Sequence, residues 1–290
     1  MIATQETTTL TVPAPAKINL YFNIIGRRSD GYHIVDSLIA FTRLGDTLTV
    51  RAGNPLDIVG EGPFSADLPP APQNLVYRAA ETLAAAAGVP AFAHISIEKN
   101  LPIAAGIGGG SSDAAAAMKA LANLWNLEQE NFDLAEIGLS LGADLPVCLR
   151  AQTTYAGGIG EILEAGPVLP QAGVVLVNPG IALATPTVFA ARKGPFTLEN
   201  RFSHAPENVA ELGKMLAERG NDLTEPAISL CPEIQTILNA LEATPGCRLA
   251  RMSGSGATCF ALYDDTTKAE AAADQVARDG WWVAATELIT

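Results

Sequence analysis

Basic residues are scarce in this sequence. Eighteen Lys and Arg stand against thirty-one Asp and Glu, a formal charge of −13 over 290 residues. Neutralising a nucleic-acid backbone takes clustered Lys and Arg, so a general nucleic-acid binder is excluded. A small phosphorylated ligand stays open, because backbone N–H groups and a single Lys can hold it. Cysteine is just as sparse: Cys148, Cys231, Cys247 and Cys259 form no CxxC pair and have no His at zinc spacing. They read as reduced thiols packed as small apolar side chains. No apolar run approaches the ~20 residues that span a bilayer. The first residues carry neither the basic start and apolar stretch of a secretory signal nor the Arg-rich character of an organellar transit peptide. The expectation is a cytoplasmic protein with no membrane, nucleic-acid or obligate protein partner.

What is present is apolar. Hydrophobic residues make up 48% and charged residues only 17%, which excludes disorder and suffices for one large core or two ordinary ones. Residues 10–21 read as strand interrupted by Pro13 and Pro15, and 38–50 as further strand. Residues 53–73 are a Gly- and Pro-rich loop with a short strand at 56–59. Helix is expected over 74–87, capped by Asn74 and closed by Gly88, then strand at 93–98. A helix over 112–125 follows a loop holding Gly106, Gly108, Gly109 and Gly110, and a second helix covers 131–141. After a strand–turn–strand at 153–163, the Pro- and Gly-rich stretch 166–173 divides the chain into domains 1–165 and 166–290. The second domain reads as strand 174–178, helices at 187–191, 206–218 and within 226–243, strands 248–252 and 259–263, helix 267–278 and strand 281–285. That order suits an α+β domain with antiparallel pairing.

Five segments carry possible chemistry. In LPIAAGIGGGSSDAAAA the glycines allow close backbone approach, and the helix start beyond them offers free N–H groups and a positive dipole end. Together these suit a phosphate. No Lys-Ser or Lys-Thr follows, so this is not a Walker loop. The third glycine of a dinucleotide fingerprint falls on Ser111, so a nicotinamide dehydrogenase fails on spelling. In PAKINL, Lys17 and Asn19 lie two apart and share one strand face. In GRRSDGYH, Tyr32 and His33 leave a turn side by side, placed to stack on a base or bond its edge. GADLP sets Asp144 between a helix-ending Gly and Pro146, and MSGSGAT makes a tight Ser/Gly turn between strands. Each has a bland reading alone: strand edge, hairpin, cap or turn.

In that order, PAKINL, the glycine segment and MSGSGAT resemble the three motifs of the GHMP small-molecule kinases, over nearly the whole chain. DGYH and LGADLP point to the branch that phosphorylates a cytidine-diphosphate-linked methylerythritol in non-mevalonate isoprenoid synthesis. The resemblance implies an α+β fold, with a ribosomal-S5-like N-terminal domain and a ferredoxin-like C-terminal domain. It implies Asp144 as catalytic base with Lys17 as partner, and Asn19 lining the site. Tyr32, His33 and Phe189 would recognise cytidine, Phe189 on the strength of TPTVF alone. ATP phosphates would sit at Gly106, Gly108, Gly109, Gly110, Ser111 and Ser112, with Asn74, Lys99 and Pro102 near the nucleotide. Mg²⁺ is expected with ATP, its protein ligands unassigned apart from a hydroxyl of Ser111 or Ser112. The rivals are a mevalonate or sugar kinase, which gives the base-recognition residues no task, and a non-catalytic nucleotide sensor, which gives Lys17 and Asp144 none.

Overall fold

The computed structural model describes residues 9–128 and 132–290. In chain order the first elements are strands β1 (Thr9–Arg27), β2 (His33–Arg51) and β3 (Asp57–Glu61), helix α1 (Leu75–Ala87) and strand β4 (His94–Glu98). Helices α2 (Gly109–Leu124), α3 (Leu134–Leu139) and α4 (Leu145–Arg150) precede strands β5 (Thr154–Gly157), β6 (Ile162–Ala165) and β7 (Gly173–Asn178). Then come helices α5 (Thr185–Ala191), α6 (Val209–Ala217), α7 (Thr224–Leu230) and α8 (Glu233–Glu242). Last are strands β8 (Leu249–Met252) and β9 (Cys259–Tyr263), helix α9 (Thr266–Val276) and strand β10 (Trp282–Glu287). These elements form two compact units: one holds the chain up to Pro15, Gly45–Ile103 and Gly109–Arg150, the other Ala16–Leu44, Ala104–Gly108 and Ala151–Thr290. β1 and β2 contribute to both.

In the first unit β4 lies between β3, parallel to it, and the end of β2, antiparallel, with Ile95 opposite Val50. Ile95 and Ile97 are buried while His94 and Ser96 are only half-buried, the alternation expected of a strand with one covered face. α1 begins where Asn74 Oδ1 accepts the Val76 N–H at 2.9 Å, and it ends at Gly88, whose φ is +66°. Its buried face, Ala79, Ala80, Leu83 and Ala84, packs on the Ala-rich α2, and α4 packs on α2 as well. Small side chains on both helices permit that close approach.

In the second unit β7, β8, β9 and β10 make an antiparallel sheet in the order β10-β7-β9-β8. α5 to α8 connect β7 to β8, and α9 connects β9 to β10, which is the ferredoxin-like arrangement. All six residues of β7 are buried. Each of its Val and Leu side chains contributes roughly 1.5–3 kcal/mol by leaving water. Ile24 of β1 belongs to the same apolar core as Val175, Val188, Leu223, Ile234 and Tyr263.

Several expectations are corrected. β1 runs through Pro13 and Pro15 without a break; β2 is the strand it pairs with, and a proline lacking its N–H is tolerated on an edge. β2 is longer than 38–50. α2 begins at Gly109, not Ser112, so Gly109 and Gly110 form its first turn, where no N–H needs a helical partner. Ser112 is not its cap: its hydroxyl donates to the Pro15 carbonyl at 2.8 Å. The 131–141 helix is α3, capped by Asp133; its expected start, Asn131, lies outside the described residues. GADLP leads into a helix, α4, that begins at Leu145 directly after Asp144. The 226–243 stretch is two helices, α7 and α8, separated by Cys231 and Pro232. Cys148, Cys231 and Cys259 are buried thiols, and Cys247 is half-buried. No described helix is long and apolar enough to cross a membrane.

Candidate functional site

Three of the sequence segments meet inside the second unit. Lys17 and Asn19 are buried on β1, 5% and 3% exposed. The Lys17 N–H donates to the Ile107 carbonyl at 2.9 Å, and a Cβ on Gly108 would lie only 3.0 Å from the Lys17 side chain. The glycine loop therefore lies directly against the lysine of PAKINL. Asn19 reaches the third segment: its N–H donates to Ser253 Oγ at 3.1 Å, and its Nδ2 donates to Ser37 Oγ at 2.8 Å. The loop and the third segment also meet directly. Thr258 Oγ1 donates to the Ala105 carbonyl at 2.6 Å, and Ser253 Oγ to that of Gly106 at 3.4 Å. Gly106 has φ +75°, and a Cβ there would collide with the Gly256 carbonyl oxygen. Only glycine meets both conditions.

Two of the three residues expected to recognise a base, His33 and Phe189, also meet in this unit. The rings of His33 and Phe189 lie 5.2 Å apart, tilted by 31°, and Phe22 meets Phe189 edge-on at 6.2 Å. Burial first, then the charges of Arg27 and Arg192, hold the His33 pKa below its usual value. A neutral imidazole has one donor and one acceptor nitrogen, which suits the mixed edge of a base. Tyr32 is 61% exposed beside it. Thr185, at the start of α5, shares a hydrogen bond of 2.8 Å with Ser255 of the third segment, so the helix carrying Phe189 is tied to that turn.

The remaining candidates belong to the first unit. Gly109, Gly110 and Ser111 open the sixteen-residue α2 with their N–H groups unclaimed by the helix. Ser111 is half-buried, whereas the Ser112 hydroxyl is enclosed. Asp144, exposed, stands immediately ahead of α4, and its carbonyl accepts the Cys148 N–H. Asn74 caps α1 and is 5% exposed; Pro102 is half-buried on the stretch leading to the loop. Lys99 is 1% exposed, its ammonium bonded to Asp46 and Asp113. Sequence reasoning missed both of those carboxylates, as it missed Ser253 and Thr258. An Asp inside a strand or a helix carries no periodic signal, while Ser253 and Thr258 stood within a motif read for its glycines.

Comparison with known proteins decides the family. The model for the GHMP kinases N terminal domain matches residues 74–152, and that for GHMP kinases C terminal matches residues 202–280. The 4-diphosphocytidyl-2-C-methyl-D-erythritol kinase of Paramagnetospirillum magneticum is 46% identical over 285 residues, 98% of this chain and 100% of that one. That of Gluconacetobacter diazotrophicus is 47% identical over 289 residues, 96% and 94% of the two chains. This chain belongs to the 4-diphosphocytidyl-2-C-methyl-D-erythritol kinase family, within the GHMP kinases. It is a small-molecule kinase. A crystal structure of 4-(cytidine 5'-diphospho)-2C-methyl-D-erythritol kinase matches at TM-score 0.81 with 34% identity, over 97% of this chain and all of that one. A homoserine kinase from Cytophaga hutchinsonii matches at TM-score 0.73 with 16% identity, which shows the shared GHMP kinase fold alone.

Proposed function

We propose that this kinase transfers the γ-phosphoryl group of ATP to the 2-hydroxyl of 4-diphosphocytidyl-2-C-methyl-D-erythritol, a step of non-mevalonate isoprenoid synthesis in the cytoplasm. The His33–Phe189 ring pair carries the reading. An imidazole kept neutral beside a phenyl ring offers a donor, an acceptor and an apolar face together, which is what a cytosine asks of its site. The family's kinase names support the same acceptor.

The chemistry follows from what each residue offers. The acceptor is a crowded tertiary alcohol, so positioning and charge stabilisation matter more than covalent help. Asp144 accepts its proton as the new P–O bond forms. Lys17, buried on β1, supplies positive charge for the carboxylate and for the transferred group. Asn19 lines the acceptor side, and Tyr32, His33 and Phe189 hold the cytosine. Gly106 and Gly108, both at positive φ, let the backbone approach the phosphates, and the open start of α2 from Gly109 to Ser111 faces them with N–H groups. Asn74, Lys99 and Pro102 belong to the nucleotide side. Mg²⁺, when bound with the triphosphate, would supply charge neutralisation there. The half-buried Ser111 hydroxyl would offer it a hard oxygen, whereas the Ser112 hydroxyl is committed to Pro15. The two family matches fall on either side of residue 165, in keeping with an ATP-binding domain over residues 1–165 and a substrate domain over residues 166–290.

The test is ADP release with ATP and Mg²⁺, offering the cytidine compound beside mevalonate, homoserine and galactose. Turnover confined to the cytidine compound is expected. Turnover on another acceptor would discard the roles given to Tyr32 and His33 while keeping the kinase chemistry.

A further inference from the structure

The Lys99 cluster in the first unit has a geometry that a contact with nucleotide does not explain. Lys99, Asp46 and Asp113 are 1%, 1% and 2% exposed, so three ionisable groups are sealed from water together. Lys99 donates to Asp113 Oδ2 at 2.8 Å and to Asp46 Oδ2. Burial works to lower the ammonium's pKa, but the charges of Asp113 and Asp46 outweigh it and raise the value. Lys99 is thus held as a cation between two acids. Enclosing such a cluster costs several kcal/mol per charge before pairing, and well-packed apolar groups would serve stability as well.

The cluster joins two pieces of chain. Asp46 turns its other oxygen to the segment after Lys99, where Oδ1 accepts the N–H groups of Asn100 at 2.6 Å and Leu101 at 2.9 Å. Asp113 belongs to α2, four residues beyond Gly109. The ammonium itself lies 3.2 Å from where a Cβ on Gly109 would sit, so glycine at the first position of α2 is what lets it come so near. A cation at the positive end of a helix opposes the dipole, and here two acids counter it.

We propose that Lys99 is a positioning residue: clamped between Asp46 and Asp113, it fastens the 99–101 segment to the first turn of α2 and so holds the N–H groups of Gly109, Gly110 and Ser111 in place for the triphosphate. This rests on the reading of that helix start as the ATP phosphate site. Lys99 acts through the backbone, not by touching the nucleotide.

The experiment is calorimetric titration of ATP, without acceptor, into the wild type, Asp46→Asn, Lys99→Met and the double variant. Each single change is expected to weaken ATP binding about tenfold or more, and the double change no further than the worse single one, since both break the same clamp. Turnover of Asp46→Asn at saturating ATP should stay within about threefold, the loss falling on KM. Weakening by Lys99→Met alone, with Asp46→Asn unchanged, would overturn the proposal in favour of direct contact. Lys99→Met leaves two buried acids unpaired and can fail to fold. The neutral triple variant Asp46→Asn/Lys99→Met/Asp113→Asn, together with hydrogen exchange over residues 109–116 in Asp46→Asn, then decides. Weaker ATP binding and faster exchange support the brace, and unchanged values for both overturn it. A wild type that binds ATP but does not turn over the cytidine compound removes the acceptor assignment and leaves the brace standing. One that binds no ATP removes both.

Discussion

Asp113 is a buried acid whose protonation depends strongly on its surroundings. Burial, opposed by Lys99, pushes its pKa from the ordinary 3.8 up to about 7. Between those values the folded chain binds more protons than the unfolded one, so the contribution of Asp113 to stability is complete below the lower value and is lost as pH rises through the upper one. Asp113→Asn removes that dependence. Its stability relative to wild type should therefore improve from pH 4 to pH 8 in urea titrations at several pH values, and a parallel offset would refute the assignment. The proposed catalytic roles separate kinetically. Asp144→Asn should lower turnover by about 10²-fold or more with ATP binding intact, as expected for loss of a general base. His33→Ala should raise KM for the cytidine substrate well above any change in KM for ATP; an unchanged KM would place the base elsewhere. At this scale the sequence was legible where short motifs put unusual residues together, as with Lys17 beside Asn19 and Tyr32 beside His33. It was illegible for Asp46 and Asp113, whose importance arises only when β2, β4 and α2 bring them to one lysine.

Elements were legible where local chemistry dictates them. Asn74 and Gly88 mark both ends of α1, and the Ile95–Ile97 alternation marks β4. The misreadings came from tertiary context. Pro13 and Pro15 do not stop β1, because its pairing with β2 is kept. Gly109 and Gly110 do not delay α2 to Ser112, because N–H groups in the first turn of a helix have no internal partner to lose. The glycine loop is instead shaped from outside. Ala105 and Gly106 accept hydrogen bonds from Thr258 and Ser253, and Gly106 packs on the Gly256 carbonyl. The third segment thus acts as a mould for the loop that precedes α2. Gly106→Ala must find room against backbone and hold a positive φ, a strain of about 1–3 kcal/mol. The expected result is a lowered melting temperature together with a fall in kcat/KM for ATP of about tenfold or more, that strain being felt at the loop. A fully active, equally stable alanine variant would show that the loop is not cast by this contact.

For the whole molecule, the order in which the chain visits its two units matters more than either unit alone. It passes from one to the other after Pro15, Leu44, Ile103, Gly108 and Arg150. The core around Val175, Val188 and Tyr263 needs Ile24 and Phe22, which come from β1. A fragment of residues 166–290 therefore contains the antiparallel sheet β10-β7-β9-β8 but not the strand that completes its apolar core. It should unfold without a cooperative thermal transition and bind an apolar dye, whereas the full chain melts sharply. A cooperative melt of the fragment would mean β1 is dispensable to that core. The α+β class and the antiparallel pairing were readable from the succession of strands and helices, and the ferredoxin-like order came from the family resemblance. The interleaving was not, because sequence patterns report neighbours along the chain and not which stretch returns to which core. The same interleaving limits what one stretch of chain can carry. His33 and Phe189 reside in one compact unit yet are encoded on opposite sides of the helix α2 that belongs to the other. Any single stretch of chain that carries both rings must therefore carry α2, a piece of the other unit, along with them.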